Sequence, residues 1–219
     1  MPTRNHEPSY ITFTGLDRRE HIESAGALSA IYPIEWGVLV DDAQAGTPLF
    51  PDNTNLEAIR RSGLRLSAHI CGNWAKGIVQ GREIDLDLSG FSRIQINHGF
   101  EGSTEAQIAN SQAFGAKRGV RPALQCQGKF PSDARVDWLF DVSFGKGLTP
   151  KSFPKVTHSY PFCGISGSLG PTTVAAVLDK LEVELGTPYW IDMESRIRTE
   201  GELDISKCRA VCEAVYGKR

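Results

Sequence analysis

Eight short apolar runs in this chain each end in side chains able to move protons or hold polar atoms. In order these are Thr14 and Asp17, Asp41 and Asp42, His69 and Cys71, Asn97 and His98, Gln125 and Gln127, Asp141 and Ser143, Ser166 and Ser168, and Asp192 and Glu194. A general acid-base pair can be drawn from Asp141, Asp192, His69 and His98, because carboxylates and imidazoles in a partly dry cleft acquire pKa values near neutrality. Any one of them alone is more simply a helix cap or a satisfied hydrogen-bonding group. His69 with His98 and a carboxylate is also a conceivable divalent-metal set, but no closely spaced ligand motif accompanies it, so neither metal nor cofactor is expected.

One turn is more specific. "GISGSLGPTTV" sets Ser166, Gly167 and Ser168 between an apolar run and a helix whose first turn follows Pro171. Backbone N-H groups at such a helix start can receive a phosphate. A tight turn needing small residues explains the same letters.

These groups have to be positioned by the elements around them, and strand-like runs alternate with helix-like ones along the chain. The strands are expected at 9–16, 35–42, 64–72, 92–99, 121–128, 137–145, 160–167 and 188–195. Helices are expected at 19–32, with Ile22, Ala25, Leu28 and Ile31 on one stripe, and at 53–63, with Asn53 as cap and Gly63 as terminator. A third follows from Ser103 or Thr104. A fourth, over 172–186, spaces Val174, Val177, Leu178, Leu181 and Leu185 helically, and a last one carries Cys208, Val211, Cys212 and Val215. The segment after the third strand is less regular. Eight such alternations, in strands that look too apolar to face water on either side, predict one α/β domain over residues 1–219, a closed (β/α)₈ TIM barrel. An open doubly wound sheet fits less well, since no Gly-x-Gly-x-x-Gly follows the first strand. In a barrel, the strand ends named above share the catalytic face.

Composition narrows the partners. The 219 residues carry a net charge of -2, without the clustered Lys and Arg that nucleic acid or an acidic membrane attracts. No apolar run approaches the roughly 18 residues of a membrane span, and the N-terminus lacks a signal-peptide core, so a cytoplasmic protein is expected. Five cysteines, an odd number without paired ligand spacing, suit a reducing compartment. A homo-oligomer is compatible with all of this.

With the strands in place, the chain resembles the phosphoribosylanthranilate isomerase family of tryptophan biosynthesis. That family's first strand typically reads Lys-Ile-Cys-Gly-Leu-Thr-Arg-Pro-Glu-Asp, and Thr12 to His21 ("TFTGLDRREH") stand in the same register. Its Leu-Gly-Phe-Val-Phe is similar to 36–40, its Gln-Leu-His-Gly to 95–99, and its Leu-Leu-Asp with a following Gly-rich loop to Leu139-Phe140-Asp141 and "VSFGKGLTPKSF". Its Leu-Ala-Gly-Gly-Leu-Asn-Pro and Val-Asp-Val-Ser-Ser-Gly-Val-Glu are similar to 165–171 and 191–198. The resemblance implies the barrel and a phosphorylated sugar or nucleotide-like ligand. Its phosphate would lie at Ser166, Gly167, Ser168 and Ser195, with Arg196 and Asp192 nearby.

The family reaction is an Amadori rearrangement in which a first-strand Cys removes the C2 proton and a sixth-strand Asp is the general acid. The resemblance puts that acid at Asp141 and Thr14 where the Cys should be. A thiol titrates near pH 8.5, whereas a threonine hydroxyl has no accessible anion near neutrality. A substitute base would come from Asp17, His69, Cys71 or His98. The family's anthranilate-gripping Arg is also missing from "DDAQAGTPLFPD", where Asp41 and Asp42 would repel a carboxylate. Arg196 replaces a family Gly. The expectation is therefore an isomerase-like enzyme that has lost anthranilate specificity. The alternatives are a non-catalytic binder of a phosphorylated ligand on the same barrel, or a metal-assisted epimerase, aldolase or hydrolase using His69 and His98.

Overall fold

The structure is a computed structural model and describes residues 6–99, 102–142 and 150–219. Eight parallel strands close into a barrel in sequence order. They are β1 (Tyr10–Thr14), β2 (Ile34–Val40), β3 (Leu66–Ile70), β4 (Arg93–Ile96), β5 (Arg121–Cys126), β6 (Asp137–Phe140), β7 (Cys163–Ile165) and β8 (Tyr189–Met193). β8 pairs back onto β1, Ile11 opposite Ile191 and Thr12 opposite Asp192, so the sheet has no free edge.

Around it lie α1 (Ile22–Ser29), α2 (Asn53–Arg60), α3 (Gly72–Val79), α4 (Glu105–Arg118), α5 (Val174–Leu178) and α6 (Ile205–Tyr216). The eight expected strands are present, but no helix follows β5 or β6 among the described residues. Asp52, not Asn53, caps α2, its side chain accepting from Asn55 N at 2.7 Å. Thr104 caps α4 in a capping box with Gln107, and Gly119 ends it at φ 67°. α3 occupies the stretch that looked irregular; its two glycines mask a helix that buries Ala75, Ile78 and Val79. The long helix expected over 172–186 is only five residues, because Val156 brackets Val183 as in a sheet, bonding Glu182 O and Glu184 N. Leu185 is left 80% exposed.

The outward faces of the strands, such as Ile11, Phe13, Trp36 and Ile191, pack with Ala25, Leu28, Val211 and Cys212 into one apolar core between barrel and helices. Cys208 and Cys212 are buried small residues, as their spacing suggested. The inward faces are another matter. The strands are not apolar on both sides: Thr12, Thr14, Glu35, Ser67, His69, Arg93, Gln95, Gln125, Asp137 and Asp192 are all buried, and their alternation with the outward set puts them inside the barrel.

The lower interior is held by charge and aromatic surface. Arg93 Nη2 meets Glu35 Oε1 at 2.7 Å, Thr12 Oγ1 donates to the same oxygen at 3.0 Å, and the Arg93 guanidinium lies 4.1 Å over the Trp190 ring. Trp190 packs with Tyr10, Leu139 and Phe162. Gly164 makes this possible, since a Cβ there would fall 2.2 Å from the indole. Above this plug the barrel opens.

Candidate active site

A cavity of about 550 Å³ occupies the C-terminal mouth, lined by the last residues of the strands and the first residues of the loops. Thr14, His69, Gln95, Gln125, Asp141 and Asp192 reach it from β1, β3, β4, β5, the end of β6 and β8. The position matches where barrels of this architecture carry chemistry.

Three of these side chains form a buried cluster. Thr14 Oγ1 donates to Asp192 Oδ1 at 3.0 Å, His69 Nδ1 lies 3.5 Å from the same hydroxyl, and His69 Nε2 is 3.8 Å from Asp192 Oδ2. Neither His69 Nε2 nor Asp192 Oδ2 has a hydrogen-bond partner among the described residues. The cluster fits because β2 carries Gly37 between the two strands: a Cβ there would come within 2.5 Å of Thr14 Oγ1 and 3.0 Å of His69 Nε2.

Burial sets the protonation states. It raises the Asp192 carboxyl to about 8; the Thr14 hydrogen bond and the Arg93 charge oppose the rise, and Glu35 and Asp141 add to it. It lowers His69 to about 3, and the Arg93 charge acts in the same direction, so the imidazole is neutral at physiological pH. Asp192 thus titrates near neutrality and His69 does not. Burial also pushes the Cys71 thiol up to about 11, although Asn97 Nδ2 donates to its sulfur at 3.4 Å. Cys71 is therefore a thiol, not a replacement thiolate.

The remaining candidates divide between wall and rim. Asp141 lines the cavity and accepts from Gln125 Nε2 at 3.1 Å. His98 is at the mouth with Nε2 2.9 Å from Ser103 Oγ, and burial lowers its pKa. Among the described residues no three His, Cys, Asp or Glu side chains converge as a metal site. Asp17 does not line the cavity: its carboxylate lies 3.3 Å from Arg198 Nη2, while Arg198 Nη1 donates to Gly15 O. Asp41 turns back on its own loop, accepting from Ala43 N and Gln44 Nε2, both at 2.9 Å, and Asp42 is exposed. Ser143 and most of "VSFGKGLTPKSF" lie outside the described residues.

The turn after β7 departs from the expected phosphate cradle. Thr173 N and Val174 N, at the start of α5, both donate to Gly170 O and are not offered to a ligand. Ser166 Oγ is bonded to Phe140 O at 3.0 Å. Ser168 has φ 55° and accepts from Arg196 Nη2 at 3.1 Å, while Gly167, Ser168 and Ser195 line the cavity. Asp192, grouped with this turn on sequence grounds, hydrogen-bonds Thr14 instead. Lys76, on α3, also reaches the cavity rim. It was missed because its helix was.

No protein-family model and no curated protein sequence matches the chain. Solved structures do. Phosphoribosylanthranilate isomerase from Thermotoga maritima aligns over 95% of this chain and 99% of its own, with a TM-score of 0.61 at 13% identity. N-(5'-phosphoribosyl)anthranilate isomerase from Pyrococcus furiosus aligns over 94% and 98%, at 0.57 and 14%. The tryptophan synthase A-subunit from Pyrococcus furiosus aligns over 97% and 98%, at 0.52 and 10%. At these identities the likeness is one of fold, spread over the whole chain, and the chain is a (β/α)₈ barrel built like phosphoribosylanthranilate isomerase.

Proposed function

We propose that this barrel is an acid-base enzyme of the isomerase kind, acting on a small phosphorylated sugar or nucleotide-like substrate, with Asp192 as the base in place of the absent thiol. The observation that carries the reading is the Thr14-Asp192 hydrogen bond beside His69 at the cavity wall. A carboxylate whose pKa is about 8 is nearly as basic as a thiolate of pKa about 8.5, and it stands against the residue that replaced the thiol. Thr14 orients Asp192 through Oδ1, leaving Oδ2 for a substrate proton. Asp141, held by Gln125, is the acid that protonates the departing oxygen.

The substrate's phosphate would rest at Gly167, Ser168 and Ser195, with Arg196 supplying the charge from behind Ser168. Lys76 at the rim is the one lysine or arginine among the described lining residues. No helix among the described residues is long and apolar enough to cross a membrane.

Deuterium exchange at C2 of aldose phosphates and aminoaldose phosphates, followed by NMR, tests the reading. Exchange that Asp192→Asn abolishes supports it. Exchange unaffected by that substitution rules out Asp192 as base. Tight binding without exchange on any substrate leaves a ligand-binding barrel that has lost catalysis.

A further inference from the structure

Two glutamines stand on the cavity wall opposite β1. Gln95 on β4 and Gln125 on β5 are 4% and 5% exposed, and both line the cavity. Ala123 stands beside Gln95 in the β4-β5 register.

Each carboxamide spends one of its two N-H groups on the protein. Gln95 Nε2 donates to Asn97 Oδ1 at 3.0 Å, and Gln125 Nε2 donates to Asp141 Oδ2 at 3.1 Å. Those bonds fix which end of each amide is left over. Gln95 Oε1 and Gln125 Oε1 are buried and have no partner among the described residues. Buried polar atoms are nearly always hydrogen-bonded, and an orphaned one is costly, so two on one cavity wall mark a place where something else bonds. Both are acceptors. What they await is a donor.

We infer that Gln95 and Gln125 determine specificity, accepting hydrogen bonds from two neighbouring hydroxyl groups of a polyol ligand and selecting against ligands that lack them. The inference rests on the mouth cavity being the ligand site proposed above, but it makes no use of the phosphate turn or of Asp192 as base. A ligand presenting only acceptors to these two oxygens would leave both unpaired, which selects against it.

The test is calorimetric titration of the full-length protein with D-ribose 5-phosphate, its 2-deoxy and 3-deoxy analogues, free D-ribose and inorganic phosphate. The expected result is that at least one deoxy analogue binds 10-fold or more weaker than the parent. That ratio should fall to about one in Gln95→Met or Gln125→Met, with binding of inorganic phosphate unchanged. The wild-type comparison can overturn the inference even if a variant does not fold. Equal affinity for all three sugar phosphates, or no binding by any of them, overturns the inference, as does a ratio that survives in both folded variants. If the deoxy ratio holds while inorganic phosphate does not bind, the phosphate reading fails and hydroxyl recognition stands. If inorganic phosphate and the sugar phosphates bind without discrimination, the reverse holds.

Discussion

Thr14 Oγ1 donates to Asp192 Oδ1 across 3.0 Å, joining side chains 178 residues apart on neighbouring strands. Thr12, not Thr14, is the register partner of Asp192, so the hydroxyl lies one pleat higher and the bond runs diagonally across the two strands. A position that cannot itself be a base at neutral pH is thereby attached to a group that can. The chemistry proposed here has moved one strand over, from β1 to β8.

Removing that hydroxyl should raise the Asp192 pKa further, because the hydrogen bond from Thr14 is one of the two influences that lower it. In Thr14→Val the proposed base would ionise at higher pH, and the rising limb of the pH-rate profile, expected near 8 in the wild type, should move upward. Leaving Oδ1 without its donor should also cost about 1–3 kcal/mol of stability. Kinetics from pH 6 to 10 check the first outcome and denaturant unfolding the second. A limb that stays in place would separate the hydroxyl from the titration.

Stability should follow pH through the same cluster. Asp192 is raised from 3.8 to about 8, so the folded state retains its proton where the unfolded state has lost it, and the associated stability disappears as pH rises toward and through 8. His69 is lowered from 6.5 to about 3, so its contribution is complete above 6.5 and disappears as pH falls toward 3. From about 4 to 6.5 the two protons offset each other. Above 6.5 Asp192 acts alone, giving a decline of roughly 2 kcal/mol by pH 8 at about 1.4 kcal/mol per pH unit. Urea midpoints across this range should show the alkaline decline in the wild type and its loss in Asp192→Asn.

Much of the architecture was legible, because a parallel barrel writes its strands as short apolar runs and its helices as 3.6-residue stripes. The failures have local causes. Val174 to Leu185 keep a helical spacing, yet Val183 is drawn into pairing with Val156, a tertiary contact that no local period records. α3 and Lys76 were hidden by Gly72 and Gly77. At the mouth, the strand-end rule picked out Thr14, His69, Asp141 and Asp192, which all line one cavity. It could not say that Asp17 is taken by Arg198. Nor could it assign roles to Gln95 and Gln125, since amides reveal themselves only by which of their atoms are left unpaired.

Gly37 is expected to tolerate no side chain. In Gly37→Ala the methyl group would meet Thr14 Oγ1 at 2.5 Å and backbone Thr14 Cα at 3.0 Å, and the backbone atom has little freedom to yield. Overpacking of this kind costs typically 1–3 kcal/mol. It would also push the Thr14 hydroxyl off Asp192. Both a lower melting temperature and a loss of the Thr14-dependent pH limb are therefore expected; a stable, fully active variant would show that the cluster relaxes freely.

The last prediction concerns the charges beneath the cavity. Arg93 lowers both Asp192 and His69, while Glu35, its ion-pair partner at 2.7 Å, raises Asp192. Arg93→Met would leave Glu35 buried without its closest cation, at a cost of about 3–5 kcal/mol. It would also raise the pKa of Asp192. Adding Glu35→Gln removes the orphaned charge together with its upward push on Asp192. The double variant should therefore recover stability relative to Arg93→Met and bring the pH-rate limb back toward its wild-type position. A double-mutant cycle read in both stability and pH profile checks this. Recovery of stability without return of the limb would show that the pair supports the barrel while leaving the titration of Asp192 to burial and Thr14.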